Sequence, residues 1–200
     1  MSQLRNTLVI ASVLATALTL SACSTTITMG GMGDGGATKS AAETGFNDAD
    51  TNFATGMVPH HEQAVAMADM ILVKEGIDPR VTDLAKRIKA AQGPEITEMT
   101  AWLTTWGTPV HSMAGMSGMS GMDSGMMSDD DMAALGVAKG NDASKLFLQQ
   151  MTTHHQGAIT MAKTEISDGK NAGAITLAKA ILTGQSAEIA EMASILSTLK

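Results

Sequence analysis

The residues best suited to chemistry lie in two stretches, MVPHHEQAVAMA at positions 57–68 and MTTHHQGAITMA at 151–162. Each sets a methionine ahead of a paired histidine and a second methionine two turns beyond it. The first stretch supplies Met57, His60, His61 and Met67, and the second Met151, His154, His155 and Met161. Imidazole nitrogen and thioether sulfur together favour soft or borderline metals, Cu(I) above all, while imidazole alone also suits Cu(II) or zinc. Thioethers fit a site outside the cytosol, because they do not protonate at ordinary pH and cannot be lost to a disulfide. Oxidation to sulfoxide would weaken such a site. One thioether binds feebly, so several must converge.

The only other histidine, His111, opens the run HSMAGMSGMSGMDSGMM, in which Met113, Met116, Met119, Met122, Met126 and Met127 recur at near-regular steps. Glycine and serine between them leave nothing to form an apolar face. These thioethers are expected to be exposed and mobile, a set of weak, exchangeable metal positions. Elsewhere methionine also fills irregular gaps in helical cores, and Met67, Met70 and Met161 read equally as packing or as ligands.

Helices must position these groups. Phe53, Met57, His60, Ala64, Met67 and Ile71 recur at steps of three and four, the signature of one helix face, in a helix running to Glu75. Pro59 inside it should bend the helix or leave a carbonyl unpaired. Gly76 ends the helix, and Asp78-Pro79 supplies an N-cap and a first-turn proline for a second helix reaching Trp106. So short a connection makes the pair antiparallel. The same grammar returns: residues 53–68 match 147–162 at an offset of 94, and Leu84, Gln92, Glu95, Ile96, Met99 and Leu103 match Leu177, Gln185, Glu188, Ile189, Met192 and Leu196 at an offset of 93. The chain is therefore expected to be all-α, a duplicated helical hairpin (46–106 and 142–200) closing into a four-helix bundle over residues 46–200. The connecting 107–141 is too long and too glycine-rich to read as a packed element.

Adjacent residues on a helix point about 100° apart, so both members of a His-His pair reach the interior only if they flank the inward stripe. On this reading His60, His154, Met57 and Met151 line one polar, sulfur-rich pocket, with Met99 and Met192 the nearest further thioethers. Glu95 and Glu188 could orient the imidazoles or stay solvated. Glu98 and Glu191 read as solvated surface.

At the N-terminus Arg5, an apolar run over 8–20 and Leu20-Ser21-Ala22-Cys23 form a secretory signal, too short to span a membrane. The last four residues resemble a bacterial lipobox, in which Cys23 becomes the lipidated N-terminus after loss of residues 1–22. The Ser/Thr/Gly/Met composition of 23–45 then reads as a flexible tether. Loss of the signal removes Arg5 and no acid, taking the net charge from −7 to −8. Such a surface repels nucleic acid and suits cations. With the single cysteine acylated, neither a disulfide framework nor a cysteine metal cluster is available. No Ser-His-Asp order in a strand-turn context and no P-loop lysine is present, which argues against nucleophilic catalysis and phosphate binding.

The pattern F-x3-M-x2-HH-x2-A-x2-MA followed by Q-x2-EI-x2-M-x3-L, carried by Phe53 to Ala68 and Gln92 to Leu103 and repeated from Phe147 to Leu196, resembles the family called domain of unknown function 305, which includes CopM-like extracytoplasmic copper-binding proteins. The likeness spans about 46–200 apart from the central loop; Thr152-Thr153 departs from Val58-Pro59. The resemblance implies a ferritin-like four-helix bundle, with copper or silver bound through Met and His in some members. The expected function is a non-enzymatic, lipid-anchored protein on the outer face of a bacterial membrane or in the periplasm. It would sequester Cu(I), with Ag(I) or Cu(II) as further candidates, or hand it to an exporter or chaperone. A ferritin-like di-iron oxidase is the alternative enzyme, but such sites need Glu-x-x-His motifs, and no glutamate stands three residues ahead of any histidine. A partner-binding module without metal would leave the histidine pairs unexplained.

Overall fold

A computed structural model describes residues 45–110 and 125–199. The signal, most of the tether, Cys23, His111, Met113, Met116, Met119 and Met122 lie outside the described residues. The described chain is helical without strands: α1 (Asp48–Leu72), α2 (Pro79–Trp106), α3 (Asp129–Val137), α4 (Gly140–Asp168) and α5 (Ala172–Thr198). None of these helices is long and apolar enough to cross a membrane.

Local chemistry sets the boundaries. Asn47 caps α1 in a reciprocal box with Asp50, its side chain accepting from Asp50 N while Asp50 Oδ2 accepts from Asn47 N. Asp78 caps α2 ahead of Pro79, and Gly107 ends it in the left-handed region at φ 70°. Asn171 caps α5 by accepting from the amides of Gly173 and Ala174. Helix α1 stops at Leu72, short of Glu75, because Val73 makes the terminal turn and Gly76 takes φ 71° in the connection. The helix assignment runs unbroken through Pro59, so the expected bend does not divide α1.

Helices α1 with α2 and α4 with α5 pack as hairpins, and α1 lies along α4. The two core clusters show how. Ala64, Met67, Ala68 and Ile71 of α1 meet Phe147, Leu148 and Met151 of α4, whereas Phe53, Ala54, Met57 and Val58 meet Ala158 and Ala162. Later residues of one helix face earlier residues of the other, so α1 and α4 run antiparallel about an approximate two-fold that passes between His60 and His154. The duplication extends to the clasps at either end. Asp50 Oδ1 accepts from Lys170 N at 3.0 Å and Asn171 N at 2.8 Å, and its counterpart Ser144 accepts through Oγ from Asp78 N at 3.3 Å. Each inner helix thus holds the turn of the opposite hairpin.

The segment 107–141 is not wholly unpacked. Ser128 and Asp131 form a capping box for α3, and Leu135 is fully buried against α1 and α4. Helix α4 then starts at Gly140, two residues before the expected hairpin boundary at 142. Just before α3 the chain is clamped: Gln63 Nε2 donates to Met127 O at 2.8 Å, and Met127 N donates to Gln63 Oε1 at 2.7 Å. Gly125 sits at φ 72°, where an added Cβ would lie 2.6 Å from Thr153 O and 3.0 Å from Gly157. Gly125→Ala combines left-handed strain of about 1–2 kcal/mol with that collision, so the strap should lift. The Met127 amide is then expected to exchange at least about tenfold faster, since 1.4 kcal/mol is a factor of ten. Unchanged exchange at Met127 would show that the clamp does not depend on this close approach.

Candidate metal centre

Where α1 crosses α4, the rings of His60 and His154 stack with centroids 3.7 Å apart and planes inclined by 34°. His61 and His155 flank them at 6.4 Å and 6.3 Å from their sequence neighbours, so the two repeats place their pairs alike. All four rings are buried. The 100° divergence along the helix explains the division of labour: the first histidine of each pair faces the other inner helix, and the second faces its own hairpin partner.

That partner supplies a carboxylate. His61 Nε2 lies 2.8 Å from Glu95 Oε2, and His155 Nε2 lies 2.7 Å from Glu188 Oε2. A carboxylate only accepts, so each Nε2 carries the hydrogen, and in the neutral ring Nδ1 keeps its lone pair. Nδ1 of His61 and of His155 has no hydrogen-bond partner, and neither ring nitrogen of His154 makes a well-formed one, its polar neighbour being the backbone of His60. Burial first, then the neighbouring imidazoles His60, His155 and His61, hold the His154 pKa well below the ordinary histidine value. Its ring is therefore neutral at physiological pH, with a lone pair available in a dry interior. Glu98 is exposed, and Glu191 pairs with Arg87 on the surface at 2.6 Å, as expected of solvated groups.

The methionines are arranged less simply than one common pocket. Met57 and Met99 are buried together in the cluster on one side of the imidazole layer, and Met151 and Met192 in the cluster on the other, with Met67. Met192 differs from Met99 in that the Thr152 hydroxyl, which donates to Leu148 O at 2.7 Å, lies 3.6 Å from its sulfur, a polar contact that Val58 in the first repeat cannot make. Met161 is partly buried and touches α1 at Gly56. Buried Gln92 and Gln185 add unpartnered amide atoms on the α2 and α5 stripes that carry Glu95 and Glu188. Periodicity places these glutamines inward, but a neutral amide on such a stripe reads as packing rather than as chemistry.

The donor set fits a soft or borderline ion. Buried nitrogens without partners are the atoms a metal would satisfy. The carboxylate behind each outer imidazole is the arrangement that fixes tautomer and raises ligand basicity. Among the described residues no three His, Cys, Asp or Glu side chains are grouped closely enough to cage an ion. The histidines therefore form a layer that an ion would have to draw together, with the thioethers in the two core clusters on either side.

Comparisons with known proteins show the same helical fold. A DUF305 protein from Deinococcus radiodurans has 28% identity and a TM-score of 0.70, covering 77% of this chain and 99% of its own. A Streptomyces coelicolor DUF305 protein, described by inference as secreted, has 34% identity and a TM-score of 0.66, covering 74% and 91%. CopM in its Cu(II)-bound form has 34% identity and a TM-score of 0.65, covering 76% and 97%, and CopM is also known in Cu(I)-bound and silver-bound forms. No functionally curated protein matches the chain. The family described as domain of unknown function 305 matches residues 50–196, nearly the whole helical region, and the chain belongs to that family.

Proposed function

We propose that this protein is an extracytoplasmic copper-binding protein, anchored by lipid at Cys23, that sequesters Cu(I) or passes it to an exporter or chaperone without turning over a substrate. We read its four long helices as a ferritin-like bundle whose interior holds the ion. The observation that carries the proposal is the buried imidazole layer, in which carboxylate-backed rings keep unpartnered nitrogens. Similarity to CopM in its Cu(I), Cu(II) and silver forms supports the choice of metal. His60, His61, His154 and His155 would supply nitrogen, and Met57, Met99, Met151 and Met192 sulfur. Met67 and Met161 are further candidates, and His111 with Met113, Met116, Met119 and Met122 would act as an outer, exchangeable set.

Titration with Cu(I) against a competing chelator, with iron and zinc in parallel, tests this reading. Glu95→Gln with Glu188→Gln should weaken Cu(I) binding about 10–100-fold, the usual effect of losing the group behind a ligating histidine, while circular dichroism stays unchanged. Equal Cu(I) affinity in the wild type and in a variant lacking His60, His61, His154 and His155 would refute the core site. Iron uptake with oxygen consumption would favour an oxidase instead.

A further inference from the structure

The strap just before α3 crosses the chain beside the imidazole layer. Gly125 lies against α4 at Thr153 and Gly157, and the Gln63 side chain holds Met127 to α1 through both its amide and its carbonyl. Gln63 follows His60 by three positions and Gly157 follows His154 by three, so each stands one turn from a stacked ring. The two correspond by the offset of 94, which puts the strap over the approximate two-fold between those rings. The repeat is broken here in the way such a crossing requires. One inner helix offers an amide that pairs with passing backbone, and the other offers no side chain at all. Glu95 and Glu188, by contrast, reach the outer rings from α2 and α5.

Sulfur is spread unevenly about this crossing. The core cluster that Met127 joins contains buried Met67, Met151 and Met192, with Met70 and Met132 partly buried against it, whereas the other cluster holds Met57 and Met99 with Met161 partly buried. Met70 lies nearly three turns beyond His60. Met127 is half-buried, fixed at the groove by its backbone, and packed against the cluster that holds the buried sulfur.

We propose that Met127 is the transit ligand through which Cu(I) enters and leaves the imidazole layer, taking the ion at the surface and passing it to the buried sulfur and nitrogen. This role rests on the copper reading above and adds to it a route. Each transfer is a ligand exchange: a sulfur lone pair forms the new bond to copper, the departing ligand keeps its own pair, and the ion stays monovalent. A lone thioether suits the task because it is soft, neutral and flexible, and it captures Cu(I) without trapping it.

Met127→Leu tests the role, because it keeps the volume and removes the sulfur. One equivalent of Cu(I) is transferred from a chromophoric chelator to the chain carrying Cys23→Ser, which removes its single thiol. The kinetic phase absent from a variant lacking His60, His61, His154 and His155 reports arrival at the layer. Met127→Leu should slow that phase and its reverse each about tenfold and leave the equilibrium affinity within about twofold, since a contact made only in transit alters rates and not end states. Gln63→Leu, which releases Met127 from the groove, should slow it comparably, and both changes together should slow it no further. Helical content should be unchanged throughout. Unaltered rates in Met127→Leu would overturn the proposal. So would a loss of affinity matching the loss of rate, which would make Met127 a resident ligand, or faster uptake in Gln63→Leu, which would make the strap a plain cover. Failure of the copper reading itself would appear separately, as wild-type protein that takes up no Cu(I) at the four histidines.

Discussion

His154→Leu is expected to make the metal-free protein more stable and its copper binding at least about a hundredfold weaker. A buried polar group without a partner destabilises the fold by about 1–3 kcal/mol, and replacing it with an apolar side chain of similar size relieves that strain. Loss of the ring stack on His60 at 3.7 Å offsets some of this, since such pairs contribute about 0.5–1.5 kcal/mol. The net gain should be about 1 kcal/mol, or roughly 2–4 °C in melting temperature for a domain of this size. Copper reverses the order. An ion at a thousand times its dissociation constant adds about 4 kcal/mol to the wild type, and the variant should lose most of that increment. Melting curves with and without Cu(I) should therefore cross: leucine more stable without the ion, histidine more stable with it. A metal-free variant destabilised by more than about 1 kcal/mol would mean that the His154 nitrogens are already satisfied in the native protein, making the imidazole layer structural.

This trade also explains why so much of the arrangement is legible along the chain. A His-His pair with flanking methionine, repeated at a constant offset, announces both the duplicated hairpin and the interior position of the rings, because helical period alone decides which positions face inward. The stacking of His60 on His154 follows from running two identical stripes antiparallel. What escaped is what period does not encode. Gln63 clamps Met127 across 64 residues of sequence through a backbone contact, and nothing in either local pattern pairs them. Helix α3 is short, and its Ser128-Asp131 capping box was the one available signal amid glycine-rich sequence. The division of Met57 and Met99 from Met151 and Met192 depends on which core each side chain joins once the helices cross, a tertiary outcome. Least legible was a feature that breaks the repeat: Asp50 and Glu165 correspond by the offset of 94 to Ser144 and Ile71, so comparing the two halves hides them.

Glu165→Gln should remove a loss of stability that the wild type suffers as pH rises through neutrality. Glu165 and Asp50 are buried side by side where the start of α1 meets the end of α4. Burial would raise the Asp50 pKa, but hydrogen bonds from the amides of Asn171, Asn47 and Lys170 and from the Glu165 carboxyl outweigh it, and the pKa is lowered. Asp50 is thus the ionised partner. Burial chiefly, with the Asp50 and Asp168 charges, raises the Glu165 pKa to about 8 from 4.5. The unfolded chain releases this proton near 4.5 and the folded protein near 8, so between those values folding takes up a proton and stability falls as pH rises. At 1.36 kcal/mol per pH unit the ceiling is about 5 kcal/mol, and relaxation around the pair should reduce the observed loss to about 2–3 kcal/mol. Glutamine keeps the shape and a hydrogen-bond donor toward Asp50 without the ionisation. Wild type and variant should therefore unfold at similar denaturant concentrations near pH 5 and diverge progressively to pH 9, the variant becoming the more stable. Asp50→Asn would not mimic this, because it also weakens the α1 capping bond from Asn47 and the bonds from Lys170 and Asn171 that hold the turn of the second hairpin. Parallel stability profiles for Glu165→Gln and wild type over that range would show that Glu165 ionises as freely in the fold as outside it. In that case the carboxyl pair does not share a proton.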